Sequence, residues 1–433
     1  MIPTLLFVAF VVMMLMGVPI GAALGLAGAA CIALANSDAQ WFGLLAVPQN
    51  FYAGLGKYPL LAIPMFVLVG SIFDRSGVAL RLVNFAVAIV GRGPGMLPLV
   101  AIVVAMFLGG ISGSGPANAA AVGAVMIAAM SRAGYPAPFS ASVVGAAAAT
   151  DILIPPSVAF IVYSVLVPGA SVPALFAAGM IPGILAGIAL IVPTVWMARK
   201  HKMGALEASL PRPELWKSFV EATWGLAAPV LILGGMRAGW YTPTEASVVA
   251  VFYALICGKY VYRTLEWKAV PDILARSALL TASVLLIIGT SASFAWILTI
   301  EGMPQTIATW LSSMQLNAWT FLIVINVFLL IFGIFIEPLP GVMVLVPILA
   351  PVAAKLGIDP IHFAMVVIYN LTLGMITPPV GGLLFVTSNV SKVPLSDLTR
   401  ELKPFLWAHG AVLILLTFVP ALSNWLPHVM GFK

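Results

Sequence analysis

A single carboxylate, Glu337, interrupts a long apolar stretch in the run Gly-Ile-Phe-Ile-Glu-Pro-Leu-Pro-Gly at residues 333–341. An ionised carboxylate inside a bilayer costs about 3 kcal/mol or more unless a cation, a proton or a strong hydrogen-bond donor compensates it. Acids within membranes usually mark ion pathways, so we favour a bound Na⁺ over protonation. Glu337 is therefore the first candidate for chemistry in this sequence.

Residues 109–118, Gly-Gly-Ile-Ser-Gly-Ser-Gly-Pro-Ala-Asn, form a second candidate. Gly and Pro interrupt a helix here, which frees backbone carbonyls and amides inside an apolar region. The carbonyls and the hydroxyls of Ser112 and Ser114 are oxygen ligands suited to Na⁺, and the amides near Asn118 suit a carboxylate. The alternative is a kinked pair of helices that packs closely through its glycines. A matching break in the second half of the chain favours the site.

Two Pro-Pro pairs, at residues 155–156 and 378–379, mark a further kind of break. Each proline removes a hydrogen-bond donor and displaces a helix carbonyl, which leaves oxygens for ion coordination. We expect each pair to face one of the two tips. The first break would bring Pro155 to one site, and the second would bring Thr377 and Gly381 to the other.

Three polar residues near these breaks each have two interpretations. Asp151 is either an ion ligand or a helix-end carboxylate that faces a wet crevice. Asn370 and Tyr163 either contact the substrate or join helices by hydrogen bonds, and the second role is the commoner one between membrane helices.

The composition places these residues in a membrane protein. Of the 433 residues, 62% are hydrophobic and 8% are charged, against about 25% charged in soluble proteins. This excludes a water-soluble enzyme, a nucleic-acid-binding protein and a disordered scaffold, because a soluble chain of this size cannot bury so much apolar surface. The formal net charge of +6 reports membrane topology rather than an anionic partner.

No grouping of side chains suggests catalysis. The four histidines, His201, His362, His409 and His428, lack metal-ligand spacing, and the acids are dispersed. A membrane-embedded enzyme for lipid-linked substrates would need clustered catalytic groups. The sequence also has no phosphate-binding loop of the Gly-x-x-x-x-Gly-Lys type, so the energy for any transport should come from an ion gradient.

The apolar runs predict an all-α polytopic fold with ten transmembrane helices and two re-entrant hairpins. The uninterrupted spans are 2–16, 19–35, 59–74, 173–198, 221–238, 244–262, 277–298 and 404–424. Two further spans, 137–168 and 360–391, are broken at the Pro-Pro pairs. The stretches 95–131 and 318–354 read as hairpins, because each half is too short to cross a bilayer core of about 30 Å.

The sequence also repeats itself at an offset of 223 to 225 residues. The first repeat covers residues 1–198, a basic cytoplasmic linker covers 199–220, and the second repeat covers 221–433. Each repeat holds five crossings and one hairpin, and an odd number of crossings makes the repeats inverted. With both termini in the periplasm, sixteen of the 20 Lys and Arg residues lie on the cytoplasmic side, which agrees with the positive-inside rule.

Several motifs together make the chain similar to a known family. They are Ala-Ile-Pro-Met-Phe at 62–66, the tip at 109–118, Ile-Pro-Pro-Ser at 154–157, Leu-Phe-Ala-Ala-Gly at 175–179, Tyr-Thr-Pro-Thr-Glu-Ala at 241–246 and Ile-Thr-Pro-Pro-Val-Gly at 376–381. With these motifs the chain resembles the large membrane subunit of tripartite ATP-independent periplasmic (TRAP) transporters. The resemblance implies ion transporter superfamily architecture and an elevator-type carrier in the bacterial inner membrane, with a fixed scaffold and a moving transport domain. It also implies two protein partners, a small four-helix membrane subunit, here a separate chain, and a periplasmic substrate-binding protein.

The resemblance further implies Na⁺ as the coupling ion, with two or more ions bound and no organic cofactor. Na⁺ is expected at Ser112, Ser114, Asn118 and Pro155 in the first repeat, and at Gly333, Glu337, Thr377 and Gly381 in the second. The substrate is expected to contact Ser114, Asn118, Ser157, Pro340, Gly341, Asn370 and Thr377. Many members of the family carry Asp where Glu337 stands, and Asp or Thr where Asn118 stands, so the acid at position 337 reaches further in this chain.

These observations predict the permease of a Na⁺-driven, binding-protein-dependent importer of a small organic anion. The expected cargo is a carboxylate such as a C4-dicarboxylate, a sugar acid or a sialic acid, and the surrounding partner is membrane lipid, with no nucleic acid. The alternative is a stand-alone ion-coupled carrier or antiporter of related fold that needs no binding protein. A secreted binding protein encoded beside this chain would favour the first interpretation.

Overall fold

A computed structural model describes residues 2–35, 40–91, 93–207, 212–313 and 317–432, without the side chains of residues 35, 40–42, 111–112, 308 and 310–313. Within these ranges the regular structure is helical and includes no strand. The prediction of an all-α polytopic protein is therefore confirmed for the described residues.

Twenty α-helices make up the described chain. The first half contains α1 (Ile2–Leu15), α2 (Ile20–Ala35), α3 (Gln40–Leu55), α4 (Ala62–Arg75), α5 (Val78–Val90), α6 (Met96–Ser112), α7 (Gly115–Arg132), α8 (Ala137–Ala148), α9 (Val158–Leu166) and α10 (Val172–Lys200). The second half contains α11 (Leu215–Arg237), α12 (Pro243–Ile256), α13 (Val270–Ile300), α14 (Met303–Ser313), α15 (Ala318–Gly333), α16 (Pro338–Lys355), α17 (Pro360–Gly374), α18 (Gly382–Ser391), α19 (Leu395–Phe418) and α20 (Ala421–Val429). Side-chain caps start four of them: Ser171 for α10, Thr242 for α12, Asn317 for α15 and Asp359 for α17.

Seven helices, and one bent pair formed by α8 and α9, are long and apolar enough to cross a membrane. They match seven of the ten predicted crossings. The predicted spans 2–16, 19–35 and 360–391 fall short, because α1 and α2 have 14 and 16 residues and the break separates α17 from α18. Conversely, α16 has 18 residues and meets the length for a crossing, although the sequence predicts it as half of a hairpin. Ten crossings therefore stay a prediction.

The order of the helices repeats along the chain. Helices α5 to α10 and their counterparts α14 to α19 begin 222 to 225 residues apart, the same spacing that the sequence motifs show. Both Pro-Pro bonds, at 155–156 and 378–379, are cis. The short helices α5 and α14, which the hydropathy of the chain does not reveal as separate elements, each follow a glycine with positive φ, Gly77 and Gly302. The inverted relation of the two halves stays a prediction.

Two sets of helix contacts can be distinguished, and they are joined where α13 packs on α16 and α4 on α6. In one group, α13 packs on α2, α3 and α4, while α12 packs on α4 and α11. In the other, the hairpin α6–α7 packs on α8, the hairpin α15–α16 packs on α17, and α19 lies against α8, α10 and α17. The second group contains both hairpins and both Pro-Pro breaks, so it holds every residue predicted to bind an ion or substrate.

Glu207, in the segment predicted as a polar linker, is buried and fixes the base of the hairpin α6–α7. One carboxylate oxygen accepts a hydrogen bond from the backbone N–H of Leu97 at 2.9 Å, and the other accepts one from the phenol of Tyr135. The Tyr135 oxygen in turn accepts the N–H of Gly95 at 2.6 Å. Burial and the Glu207 carboxylate raise the pKa of Tyr135, so the phenol stays protonated and keeps donating. Both ends of the hairpin are thereby joined to the linker.

Replacing Glu207 by Ala should lower the thermal unfolding midpoint of the purified protein. The change leaves the Leu97 N–H and the Tyr135 hydroxyl without their acceptor, and each buried unsatisfied group costs about 1–3 kcal/mol. Glu207→Gln, which keeps one acceptor oxygen, should lose less. The matched control is Glu266→Ala at an exposed position. Equal midpoints for Glu207→Ala and this control would contradict the role of Glu207 in holding the base of the hairpin.

Candidate functional site

The tip of the first hairpin, between α6 and α7, lies directly on the first break, which is the segment between α8 and α9 and begins with a short 3-10 helix at Asp151–Leu153. The contact is made through glycines. A methyl group at Gly113, whose φ is +60°, would lie 2.6 Å from the carbonyl oxygen of Pro156. A methyl group at Gly110 would lie 3.1 Å from the carbonyl oxygen of Pro155. Because Gly110 and Gly113 have no side chain, the tip can approach two backbone carbonyls of the break closely.

A buried polar cluster stands behind this tip. The side-chain amide of Asn118, on α7, donates to the carbonyl oxygen of Ala105 at 2.9 Å and to the carboxylate of Asp151 in the break. Asp151 and Ser157 are fully buried. Three buried acceptor atoms, Oδ1 of Asn118, Oδ1 of Asp151 and Oγ of Ser157, have no hydrogen-bond partner among the described residues. Buried polar atoms almost always have a partner, such as a hydrogen-bond donor, a water molecule or an ion.

The donor set of this first site fits a small hard cation such as Na⁺. It offers one carboxylate and neutral oxygens from an amide, a hydroxyl and the carbonyls of Pro155 and Pro156, all of them oxygen ligands. Of the residues predicted here, the structure brings Asn118, Pro155 and Ser157 to the tip. Ser114 begins the turn into α7 and is half-buried. The side chain of Ser112 lies outside the described residues.

The tip of the second hairpin lies against the second break, the segment between α17 and α18. Gly333, at the end of α15, touches the backbone of α17, where a methyl group would lie 2.9 Å from the carbonyl oxygen of Leu371. The N–H of Gly381 in the break donates to the carbonyl oxygen of Ile334 in the tip at 3.3 Å. The hydroxyl of Thr377 donates to the carbonyl oxygen of Leu373 at 2.8 Å. The structure therefore brings the predicted residues Gly333, Thr377 and Gly381 together.

Glu337 lies at the tip of the second hairpin. It precedes the first turn of α16, and its side chain is exposed and caps no backbone N–H of that helix. Its Oε1 lies 4.0 Å from the place of a Cβ on Gly382, so the carboxylate does face the second break. Pro338 and Pro340 lie in the first turn of α16, directly after the acid. The role of Glu337 as an ion ligand stays a prediction.

The remaining predicted residues lie around the second hairpin. Pro340 and Gly341 are buried in the first turn of α16, and Gly341 packs on the side chain of Leu371. Asn370 lies deeper on α17, where its amide donates to the backbone oxygen and the side-chain oxygen of Asn326 at 2.9 and 2.7 Å. In the structure Asn370 thus joins α17 to α15. Its contact with a substrate stays a prediction.

Two buried polar residues escaped assignment from the sequence. The structure places Asp151 in a fully enclosed position, whereas the sequence leaves its role open. His409 is fully buried in α19 and contacts both α8 and α17, although it stands in an apolar run without metal-ligand spacing. A polar residue inside a predicted crossing was the available signal in each case.

Gly109→Ala tests the close approach of the first tip to the break. A methyl group at Gly109 would lie 2.7 Å from Cα of Asp151 and 3.1 Å from its Oδ1, so the hairpin must shift away. We expect a lower thermal unfolding midpoint, because overpacking of this kind costs about 1–3 kcal/mol. Gly410→Ala on α19 is the control, since a methyl group there meets nothing within 4 Å. A Gly109→Ala protein as stable as the control would show that the tip does not rest on Asp151.

Comparisons with known proteins place the chain in a family. Residues 7–422 match the family described as the tripartite ATP-independent periplasmic transporter, DctM component. The chain is 42% identical over 413 residues to the C4-dicarboxylate TRAP transporter large permease protein DctM of Pseudomonas aeruginosa, with 95% of each chain covered. It is 37% identical over 413 residues to the sialic acid TRAP transporter large permease protein SiaM of Vibrio cholerae, again with 95% of each covered.

A solved structure supports the fold alone. The YdaH transporter of Alcanivorax borkumensis superposes with a TM-score of 0.65 over 96% of this chain and 97% of its own, at 15% sequence identity. The relatives in sequence are transporter permeases and not enzymes. With a family match over nearly its whole length, the chain belongs to the DctM family, the large permease subunits of TRAP transporters.

Proposed function

We propose that this chain is the Na⁺-driven permease of a binding-protein-dependent importer of a small organic anion. Transport of organic anions with a binding protein follows from the family. One relative is named for C4-dicarboxylates and another for sialic acid. The cargo we propose is therefore a carboxylate, such as a C4-dicarboxylate, a sugar acid or a sialic acid.

The observation that carries Na⁺ coupling is the buried, uncompensated carboxylate of Asp151. An ionised carboxylate in such a place needs a cation or strong hydrogen-bond donors, and the amide of Asn118 is the one side-chain donor that it has among the described residues. The described residues contain one ion pair within 4 Å, between Asp272 and Arg276, so no basic side chain among them pairs with Asp151. The free oxygens of Asn118 and Ser157 belong to the same cluster. A bound Na⁺ would compensate the charge and satisfy these acceptors at once.

The second site and the movement complete the proposal. We assign a second Na⁺ to Gly333, Glu337, Thr377 and Gly381, and the substrate carboxylate to the space between the tips, near Ser114, Ser157 and Pro340. The support is that both tips rest on breaks at the same spacing in the chain. Elevator movement of the helix group that holds both hairpins, with the termini in the periplasm, belongs to the same proposal.

Two proteins complete the transporter. Members of the family work with a substrate-binding protein and a small membrane subunit. For this chain we propose a periplasmic binding protein and a small four-helix subunit as the partners, in the bacterial inner membrane. The binding protein would do most of the selection among anions.

Transport assays in proteoliposomes test the proposal. The vesicles contain this chain and its small subunit, the binding protein is added outside, and a thermal-shift screen of the binding protein supplies the labelled anion. We expect accumulation under an inward Na⁺ gradient and none under an equal K⁺ gradient. Equal uptake under both gradients would rule out Na⁺ coupling. Equal uptake without the binding protein would favour a stand-alone carrier.

A further inference from the structure

His409 lies fully buried in α19 and uses both ring nitrogens. Its Nε2 is 3.0 Å from the carbonyl oxygen of Ala146 on α8, and its Nδ1 is 2.8 Å from the hydroxyl oxygen of Tyr369 on α17. A carbonyl oxygen only accepts, so Nε2 carries the proton and donates. Nδ1 then accepts the hydroxyl proton of Tyr369. One neutral tautomer satisfies both bonds, and the ring bridges the two helices that lead into the breaks.

The partners on α8 stand next to the first site. Ala146 precedes Asp151 by five residues, and the carbonyl oxygen of Ala148 lies 3.3 Å from the place of a Cβ on Gly115 in the first tip. The position of α8 therefore sets where the break and its carboxylate meet the tip.

The partners on α17 stand next to the second site. Tyr369 precedes Asn370, which donates to Asn326 on the second hairpin, and Leu371, whose carbonyl oxygen lies against Gly333. A continuous path of hydrogen bonds thus runs from α8 through His409 and Tyr369 into α17, and the next residue continues it into the hairpin. Hydrogen-bond networks of this kind can carry energetic coupling between two sites.

We infer that His409 is a positioning residue that couples the two cation sites by holding α8 and α17 in one fixed register. This inference rests on the proposed function. Occupation of one site orders its tip and break, and the bridge transmits that order to the other site. Na⁺ therefore binds cooperatively, and loss of the bridge leaves two weaker sites that act independently.

The experiment measures Na⁺ binding without any substrate. The permease is purified with its small subunit, and NaCl replaces choline chloride at constant ionic strength. Bound ²²Na⁺ is measured at each concentration, because binding saturates whereas the thermal unfolding midpoint keeps rising with the logarithm of the ligand concentration. The midpoint is followed in parallel. For the wild type we expect a Na⁺-dependent rise with a Hill coefficient above 1. For His409→Leu the Hill coefficient falls to 1 and the half-saturating Na⁺ concentration rises about fivefold or more, the usual lower range for coupled sites.

Two further variants keep the test decisive if His409→Leu does not fold. Tyr369→Phe removes one hydroxyl and one of the two bonds, so it should show the same loss of cooperativity. His409→Gln keeps a donor and an acceptor and should restore part of it. The control is His428→Gln, at an exposed position on α20.

The outcomes separate the inference from the function on which it rests. If the unfolding midpoint of the wild type does not depend on the Na⁺ concentration, the proposed Na⁺ coupling is wrong, and this inference is wrong with it. A wild type that responds with a Hill coefficient of 1 overturns the inference alone. The same holds if Tyr369→Phe and His409→Leu keep the cooperativity of the wild type and lose only thermal stability.

Discussion

Asp151→Asn is expected to abolish Na⁺-driven uptake in proteoliposomes at Na⁺ concentrations that saturate the wild type. The substitution preserves shape but removes the one charge of the buried cluster with Asn118 and Ser157. A unit charge about 4 Å from a cation contributes on the order of 4 kcal/mol near a protein surface. The half-saturating Na⁺ concentration should therefore rise about 100-fold or more. It is measured from the Na⁺ dependence of initial uptake rates.

A stability measurement separates this role from a merely structural one. In Na⁺-free buffer, Asp151→Asn should unfold at the same temperature as the wild type or higher, because it removes a buried charge that lacks a partner. Added NaCl should then raise the midpoint of the wild type more than that of the variant. Asp397→Asn, at an exposed position in the first turn of α19, is the matched control. A variant with the Na⁺ dependence of the wild type would remove Asp151 from the site.

Glu337→Gln is expected to weaken the Na⁺ dependence of uptake, but less than Asp151→Asn does. The Glu337 carboxylate faces the second break near Gly382 and is more accessible than the fully buried Asp151, so we expect its charge to be better screened. For a pair that is largely screened, an interaction of about 1 kcal/mol at 4 Å is expected. The half-saturating Na⁺ concentration should rise about fivefold, with a maximal rate close to that of the wild type.

Charge and length can be separated at this position. Glu337→Asp keeps the charge, and its smaller effect would identify reach as a secondary factor. Glu301→Gln, at an exposed acid that follows α13, controls for loss of surface charge. If Glu337→Gln shows the same Na⁺ dependence as this control, then Glu337 is no part of the ion site.

The elements that position the site could be predicted because their signals are local. The predicted hairpins at 95–131 and 318–354 correspond to α6–α7 and α15–α16, and the Pro-Pro pairs separate α8 from α9 and α17 from α18. Gly and Pro act on the residues that carry them and their immediate neighbours. A reader of the sequence therefore sees where a helix must stop without knowing what packs against it.

The surroundings of individual side chains could not be predicted, because they depend on residues far away in the chain. Glu207 becomes a buried acceptor only because Leu97, 110 positions earlier, comes to lie beside it. His409 meets Ala146 across 263 positions. The Oε1 of Glu337 comes to lie 4.0 Å from the place of a Cβ on Gly382, 45 positions later in the chain. Composition and hydropathy describe segments, whereas these three environments are properties of the packed fold.

The hydrogen bonds of Glu207 to Leu97 and Tyr135 also make the bases of the two hairpins different. Both hairpins end in the same kind of backbone turn. The N–H of Tyr135 donates to the carbonyl oxygen of Met130, and the N–H of Ile358, 223 residues later, donates to the carbonyl oxygen of Ala353. At this spacing Met430 corresponds to Glu207, and Ile358 corresponds to Tyr135. The second hairpin therefore has no counterpart of either the carboxylate or the phenol. The base of the first hairpin is hydrogen-bonded to the segment that connects the two halves of the chain, whereas the second hairpin lacks the matching bonds. A displacement of the first hairpin is therefore transmitted to that connecting segment.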